Sequence, residues 1–153
     1  MMKEISGRRG LIRETQGALM MKAENFMYIV ETKKNFDEAV VSVLKSVEQK
    51  GWAVFNIYDI KERLAAKGFN HEPLKIIEIC SAKHANKLLG KNRLISICMP
   101  CKINIIEDKG KVKIAGMNPS MITEFFPEVK KEEIKEVEEE IIAIINAAKG
   151  GLK

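Results

Sequence analysis

The residues best suited to chemistry in this 153-residue chain are its three cysteines, two of which, Cys98 and Cys101, have Cys-x-x-Cys spacing. A redox pair needs its first cysteine at a helix N-terminus, where free amides lower the thiol pKa. Both flanks read instead as strand, and side chains three apart on a strand face opposite sides unless Pro100 introduces a bulge. A zinc cage lacks a second pair of ligands. The spacing therefore favours Cys98 as an apolar strand residue, and no metal site is predicted.

Cys80 has a different setting from the other two cysteines. It stands immediately before Ser81, a residue type that can cap a helix, so its thiol is expected beside free N-terminal amides. His84, about one turn into that helix, is a candidate base, or a ligand together with Cys80. The alternative is that Cys80 is a small core residue and His84 an exposed one.

Glu78 is the charged residue hardest to explain as packing. It lies inside an isoleucine-rich strand, and alternation places it on the same face as Cys80. On an exposed face it is ordinary, whereas on a covered face its carboxylate must be paired, coordinate a ligand or have a raised pKa. Lys102, next to Cys101, is a candidate partner. These four residues, Glu78, Cys80, Cys101 and Lys102, are the predicted ligand-binding site.

The elements that must position these residues follow from apolar periodicity and capping signals. Capping-box patterns begin helices at Asn35 and Asp59, and glycines at 51 and 68 end them. Glu107-Asp108-Lys109-Gly110 supplies hairpin chemistry. Strands are predicted at 26–30, 52–58, 74–80, 94–106 and 111–117, and helices at 35–51, 59–68, 81–89 and 127–149. This order predicts an α+β fold, an antiparallel or mixed sheet with helices packed on one face.

Composition sets the class of protein and its surroundings. With 46% hydrophobic and 6% aromatic residues, the chain predicts one domain over residues 23–150, preceded by an N-terminal extension at 1–22. The net charge of +5 suggests nucleic acid, but the basic excess lies within 83–113 while 128–149 is acidic, which argues against it. No secretory signal or apolar span of ~20 residues is visible. We expect a cytoplasmic protein, away from membranes.

Several segments together resemble the bacterial and archaeal domain-of-unknown-function family 302. They are IIEICSAKHANKLL at 76–89, MPCKINIIED at 99–108, the helix start at Asp59-Ile60-Lys61 and the break at Asn118-Pro119. The resemblance covers about residues 26–149. It implies a β-α-β(4)-α two-layer arrangement with a curved, mostly antiparallel sheet, as in the TATA-binding-protein-like folds. It implies no activity.

The resemblance also marks individual positions. The family's characteristic residues correspond here to Glu78, Cys80, Pro100, Cys101 and Pro119. The chain departs from the family pattern in four places, with Ser-Ala after the first cysteine instead of Asn-Pro, Met for Leu at 99, Lys for Arg at 102 and Asn for Asp at 118. The position of the middle cysteine is simply apolar in the family, so the resemblance pairs the first cysteine with the third.

Two hypotheses for function follow. The first is a small binding domain, expected as a homodimer, that holds a small ligand or a sulfur-bearing group near Glu78, Cys80 and Cys101. The alternative is a non-catalytic protein-interaction module, homo- or hetero-oligomeric. Nothing resembles a phosphate-binding loop, a Ser-His-Asp set or a glycosidase acid pair. The sequence therefore leaves enzymatic activity undecided and predicts no cofactor.

Overall fold

The computed structural model describes residues 25–150, an α+β domain of five strands and five helices with two 3₁₀ segments. The predicted extension at 1–22 lies outside the described residues. In chain order the strands and helices are β1 (Met27–Thr32), α1 (Phe36–Gln49), β2 (Ala53–Asp59), α2 (Ile60–Ala65), β3 (Leu74–Cys80), α3 (Ala82–Lys91), β4 (Cys101–Asp108), β5 (Lys111–Met117), α4 (Ile122–Phe125) and α5 (Lys131–Lys149). The 3₁₀ segments are Arg93–Cys98 and Pro119–Met121.

The strands form one antiparallel sheet in the order β1-β5-β4-β3-β2. Apart from the short helices α2, α3 and α4, the order of elements is β-α-β(4)-α, so the predicted fold class is confirmed. β3 and β4 pair with Glu78 opposite Lys102 and Ile79 opposite Cys101. This register brings the end of β3 beside the beginning of β4, which is where the cysteines lie.

The long helices α1 and α5 cover one face of the sheet, which we call the covered face. Their apolar stripes pack on alternate residues of the three central strands. The fully buried sheet residues on this face are Ile77, Ile79, Ile103, Ile105 and Ile114, and the helices contribute Ala39, Val43, Val47, Ile141, Ile144, Ile145 and Ala148. The opposite face, which we call the open face, carries Glu78 and has no long helix over it among the described residues.

Gly116 on β5 allows α5 to approach the sheet closely. A Cβ atom at this position would lie 3.0 Å from Ile145 Cδ1 and 3.6 Å from Ile141 Cγ2. Because real Cβ atoms rarely approach a neighbour this closely, a side chain here would require Ile145 to shift by a few tenths of an ångström. Glycine at this position therefore fits the close packing of α5 side chains on the sheet.

The predicted caps and the hairpin turn are confirmed. Asn35 Oδ1 accepts from the Glu38 amide at 2.9 Å, and Asp59 Oδ1 accepts from the Glu62 amide at 2.9 Å. The turn between β4 and β5 has positive φ at both central residues, Lys109 (52°) and Gly110 (80°). This is the pattern of a type I′ turn, whose twist matches that of the paired strands.

The prediction of one strand over residues 94–106 is wrong in its first half. Residues 93–98 form a 3₁₀ segment, which begins where Asn92 Oδ1 accepts from the Leu94 amide at 2.9 Å. β4 begins only at Cys101, after Pro100, which has no N–H to donate to a ladder and follows a cis peptide bond. Cys98 therefore lies at the end of a 3₁₀ segment and not on a strand.

The last part of the chain also differs from prediction. α5 begins at Lys131 and not at 127, because residues 127–129 form a turn before the helix. The 3₁₀ segment Pro119–Met121 and the short α4 fill this region, and the sequence pattern did not reveal them. No helix within residues 25–150 is long and apolar enough to cross a membrane.

Candidate thiol site

All three cysteines line one small cavity at the end of the sheet, which we call the thiol cavity. Cys80 is the last residue of β3, Cys98 the last of the 3₁₀ segment and Cys101 the first of β4. The cavity has a volume of about 30 Å³. Its remaining lining comes from Trp52, Ile79, Ser81, His84, Ala85, Leu88, Met99, Pro100, Pro119, Ile122, Ile134 and Val137.

The volume limits what the thiol cavity can hold. A single water needs roughly 10–15 Å³ of comparable space. The cavity therefore has room for one or two atoms of about that size, and a larger organic ligand would require the walls to move. Cys98 and Cys101 also pack against the hydrophobic core, so this part of the wall is well held.

Two buried rings form another part of the wall. Trp52, directly before β2, is 6% exposed, and His84 on α3 is 5% exposed, with 5.9 Å between the ring centroids. His84 is positioned by its place in the first turn of α3, where Ser81 caps the helix and its Oγ accepts from the His84 amide at 3.5 Å. The alternative of an exposed His84 is therefore wrong. Trp52 Nε1–H is buried and has no hydrogen-bond acceptor among residues 25–150.

Burial disfavours the thiolate form of two of the cysteines, Cys101 and Cys80. Burial raises the pKa of the Cys101 thiol to about 11, with smaller contributions from Cys80 and Cys98 nearby. Burial also raises the pKa of Cys80 above its ordinary value. The sequence suggested that the N-terminus of α3 would lower the pKa of Cys80, but the pKa is raised. The loss of hydration on burial outweighs the effect of the helix amides. Within the described residues all three cysteines are free.

His84 also belongs to a second cluster, on the α5 side. Its Nε2 contacts Glu140 Oε2, and Glu136 lies one turn away on the same helix. The three possible ligand atoms lie within 4.8 Å of one another, so an imidazole and two carboxylates could together hold a divalent cation. Lys83 already pairs with Glu136 at 3.1 Å, and this hydrogen bond is the main cause of a lowered Glu136 pKa.

The other two predicted site residues do not line the thiol cavity. Glu78 is half-buried on the open face, where it accepts a hydrogen bond of 2.6 Å from the Tyr58 hydroxyl. Lys102 faces Glu78 across the strand pair but is exposed. The bond to Glu78 is the main cause of a raised Tyr58 pKa. The structure therefore brings Cys80 and Cys101 together and leaves Glu78 with a tyrosine partner.

Trp52, Cys98 and the His84–Glu140 contact were not identified from the sequence as parts of one site. The signal available was weak. Trp52 is the chain's single tryptophan, but its position by the cavity depends on Ala53 pairing with Cys80, a register that the sequence does not state. Glu140 is one of many acidic residues on α5, and only packing selects it.

Comparison with known proteins gives the family. The family model described as "Domain of unknown function DUF302" matches residues 28–148. Among solved structures, the crystal structure of an uncharacterized conserved DUF302 protein from Bacillus stearothermophilus is similar, with a TM-score of 0.74 and 25% sequence identity over 80% of this chain and 98% of that chain. No curated protein matches the chain significantly. The match spans most of the sequence and every strand of the sheet, and the chain therefore belongs to the DUF302 family.

Proposed function

We propose that this protein is a binding domain that holds a small thiophilic ligand, of one or two heavy atoms, in the thiol cavity. The observation that carries the proposal is the convergence of Cys80, Cys98 and Cys101 on a single cavity from three different elements. Core packing alone does not require every thiol of a chain to share one cavity. Sulfur ligands suit soft metal ions and sulfur-bearing groups, and both fit the small volume.

Of the four residues in the predicted ligand-binding site, Cys80 and Cys101 are better supported as ligand-binding residues than Glu78 and Lys102. The two cysteines line the cavity, whereas Glu78 is engaged by Tyr58 on the open face. A role for Glu78 and Lys102 in the same site would need the ligand to extend around the end of β3. The proposed ligand is too small for that.

Fluorescence of the single tryptophan tests the proposal. Because Trp52 lines the cavity, occupancy should change its emission. Reduced protein is titrated without oxygen with a Cu(I)–acetonitrile complex and, separately, with sodium tetrasulfide. Ala85→Leu fills the cavity and should abolish saturable responses, while Ala82→Leu, exposed on the same helix, should keep them. Responses that survive in the Ala85 variant would contradict the assignment.

A second candidate function is a homodimeric interaction module that uses the open face. On this face the edge strand β1 exposes two apolar side chains, Ile29 (49% exposed) and Met27 (37% exposed), which are suited to contact with a partner. A groove of about 390 Å³ between α2 and the sheet adjoins Ile29, with a lining that is partly apolar and partly charged. A native mass spectrum tests it. A dimer that Ile29→Lys converts to monomer favours the module, and a monomeric wild type excludes self-association.

A further inference from the structure

The indole N–H of Trp52 indicates the chemical character of the ligand. It is a strong donor in a residue that is more than nine-tenths buried, and it has no acceptor within residues 25–150. Such a group costs free energy unless something accepts from it. Trp52 is part of the wall of the thiol cavity, but its N–H is not itself exposed to the cavity, so a ligand there can accept from it only after a small rotation of the indole ring. This favours an electron-rich ligand atom over a bare cation.

The spacing of the thiols argues in the same direction. Sulfur ligands lie about 2.3 Å from a zinc ion, so ligand atoms that share one ion are separated by less than about twice that distance. No three-cysteine group in the described part of the chain has its sulfur atoms within 4.8 Å of one another. A three-thiolate metal cage is therefore not preformed, whereas one added atom bonded to one cysteine requires no such convergence.

On the basis of the small-ligand function above, we propose that the thiol cavity carries sulfane sulfur as a hydropersulfide on Cys80, and that the indole of Trp52 turns so that its Nε1–H donates a hydrogen bond to the outer sulfur. The outer sulfur has lone pairs for the indole and is one atom in size, which suits a volume of about 30 Å³. The largely apolar wall limits the access of thiols from solvent, so exchange with a donor or an acceptor requires the wall to move.

Cys80 is the carrier because of its neighbours. It ends β3 directly before the Ser81 cap, beside the free amides of α3. It pairs in register with Ala53, the residue after Trp52, which places the indole and this cysteine at the same end of the sheet. Cys101 is the more fully desolvated thiol, with its pKa raised to about 11, and is the poorer nucleophile at neutral pH.

Loading needs a sulfane-sulfur donor, a hydropersulfide R–S–S–H, and no oxidant. The Cys80 thiolate attacks the outer sulfur of the donor, and a new S–S bond forms on the protein. The donor's S–S bond breaks, and its electron pair leaves on R–S⁻, which takes up the proton released by Cys80. The products are Cys80–S–S–H and R–S–H, and the transferred sulfur keeps its oxidation state. Release to an acceptor thiol is the same exchange in reverse.

The experiment uses reduced full-length protein treated with sodium tetrasulfide and then desalted. Intact mass spectrometry should show a gain of one sulfur atom, and blocking with iodoacetamide followed by peptide mapping should place it on Cys80. Cys80→Ala should lose this sulfur, and Cys98→Ala should keep it. Trp52→Phe retains an aromatic wall without the donor. In that variant, removal of the sulfur by glutathione should be roughly threefold to tenfold faster, the worth of one hydrogen bond.

Each outcome decides between the proposals. Retained sulfur distributed evenly over the three cysteines, or unchanged lifetime in a folded Trp52→Phe protein, overturns the assignment to Cys80 and Trp52. If Trp52→Phe does not fold, a change in the wild-type tryptophan emission when the sulfur binds replaces it as the readout, and no change overturns the contact. No retained sulfur together with saturable Cu(I) binding overturns the hydropersulfide but leaves the small-ligand function standing. If neither Cu(I) nor sulfane sulfur binds, both the hydropersulfide and the small-ligand function are overturned.

Discussion

Alkylation of Cys101 in the folded protein should be slow at neutral pH and should accelerate up to about pH 11. Burial is the main cause that raises the pKa of this thiol from 9.0 to about 11. Because only the thiolate reacts, a shift of this size lowers the reactive fraction near pH 8 by about 100-fold relative to an unperturbed thiol. Cys80, whose pKa is raised by burial alone, should react faster than Cys101.

The assay is a short pulse of iodoacetamide at a series of pH values from about 7 to about 11, followed by digestion and mass spectrometry of each cysteine peptide. The same protein unfolded in urea gives the reference rate for each thiol. The logarithm of the Cys101 rate should rise with unit slope over most of the range. A Cys101 rate that levels off near pH 9, as in the unfolded reference, would refute the inference that burial controls this thiol.

The same shift makes stability depend on pH with a defined sign. Between the unfolded pKa of 9.0 and the folded pKa of about 11, the native state keeps a proton that the unfolded chain releases. The contribution of the protonated Cys101 thiol to the free energy of unfolding is therefore complete below pH 9. It is lost as the pH rises to 11. From about pH 8 to about pH 10.5, urea unfolding should show wild type losing about 2 kcal/mol more than Cys101→Ala. Equal losses of stability in the two proteins would contradict the assignment of this pH dependence to Cys101.

Three further changes test the fold and the open face. Asn35→Ala removes the α1 cap and should lower the free energy of unfolding by about 1 kcal/mol in urea titrations. Ile105→Ala deletes a side chain with no solvent exposure and should cost about 2–5 kcal/mol, whereas Ile105→Val should cost only about 0.5–1.5 kcal/mol; equal losses would argue against tight packing there. In a Tyr28→Phe background, phenolate absorbance should place the Tyr58 pKa above 10.0, and Glu78→Gln should lower it; an unchanged midpoint would contradict the hydrogen bond.

The elements of this fold could be predicted where the signal is local. The Asn35 and Asp59 caps and the Lys109-Gly110 turn each depend on a few adjacent residues, and all three were placed correctly. The prediction for residues 93–98 failed because the apolar run Leu94, Ile95 and Ile97 is typical of a strand, whereas the segment forms 3₁₀ turns in which only Ile95 is buried. In the folded protein, the Asn92 cap and Pro100 favour the 3₁₀ segment over a strand. A prediction based on the apolar pattern alone does not give these two residues enough weight to exclude the strand.

The candidate site was partly predictable for a different reason. The family resemblance paired Cys80 with Cys101, and the structure places both on one cavity. Cys98 and Trp52 required knowledge of how the chain returns to the end of the sheet, which is a matter of tertiary packing. Glu78 was correctly assigned to a strand, but its environment depends on which face the helices cover, and α1 and α5 cover the other one.

The electrostatics of the thiol cavity bear on which ligand it can retain. A metal ion held by Cys101 would need a permanent thiolate, and displacing a proton from a thiol of pKa about 11 costs about 3 kcal/mol more than from one of pKa 9.0. A transferred sulfur atom needs the thiolate of Cys80 only while the new bond forms, and the product can remain neutral. An apolar cavity therefore penalises the cation throughout its residence and the sulfur only during transfer. Burial of the thiols, which opposes ordinary cysteine reactivity, is in this way compatible with storing a reactive sulfur atom.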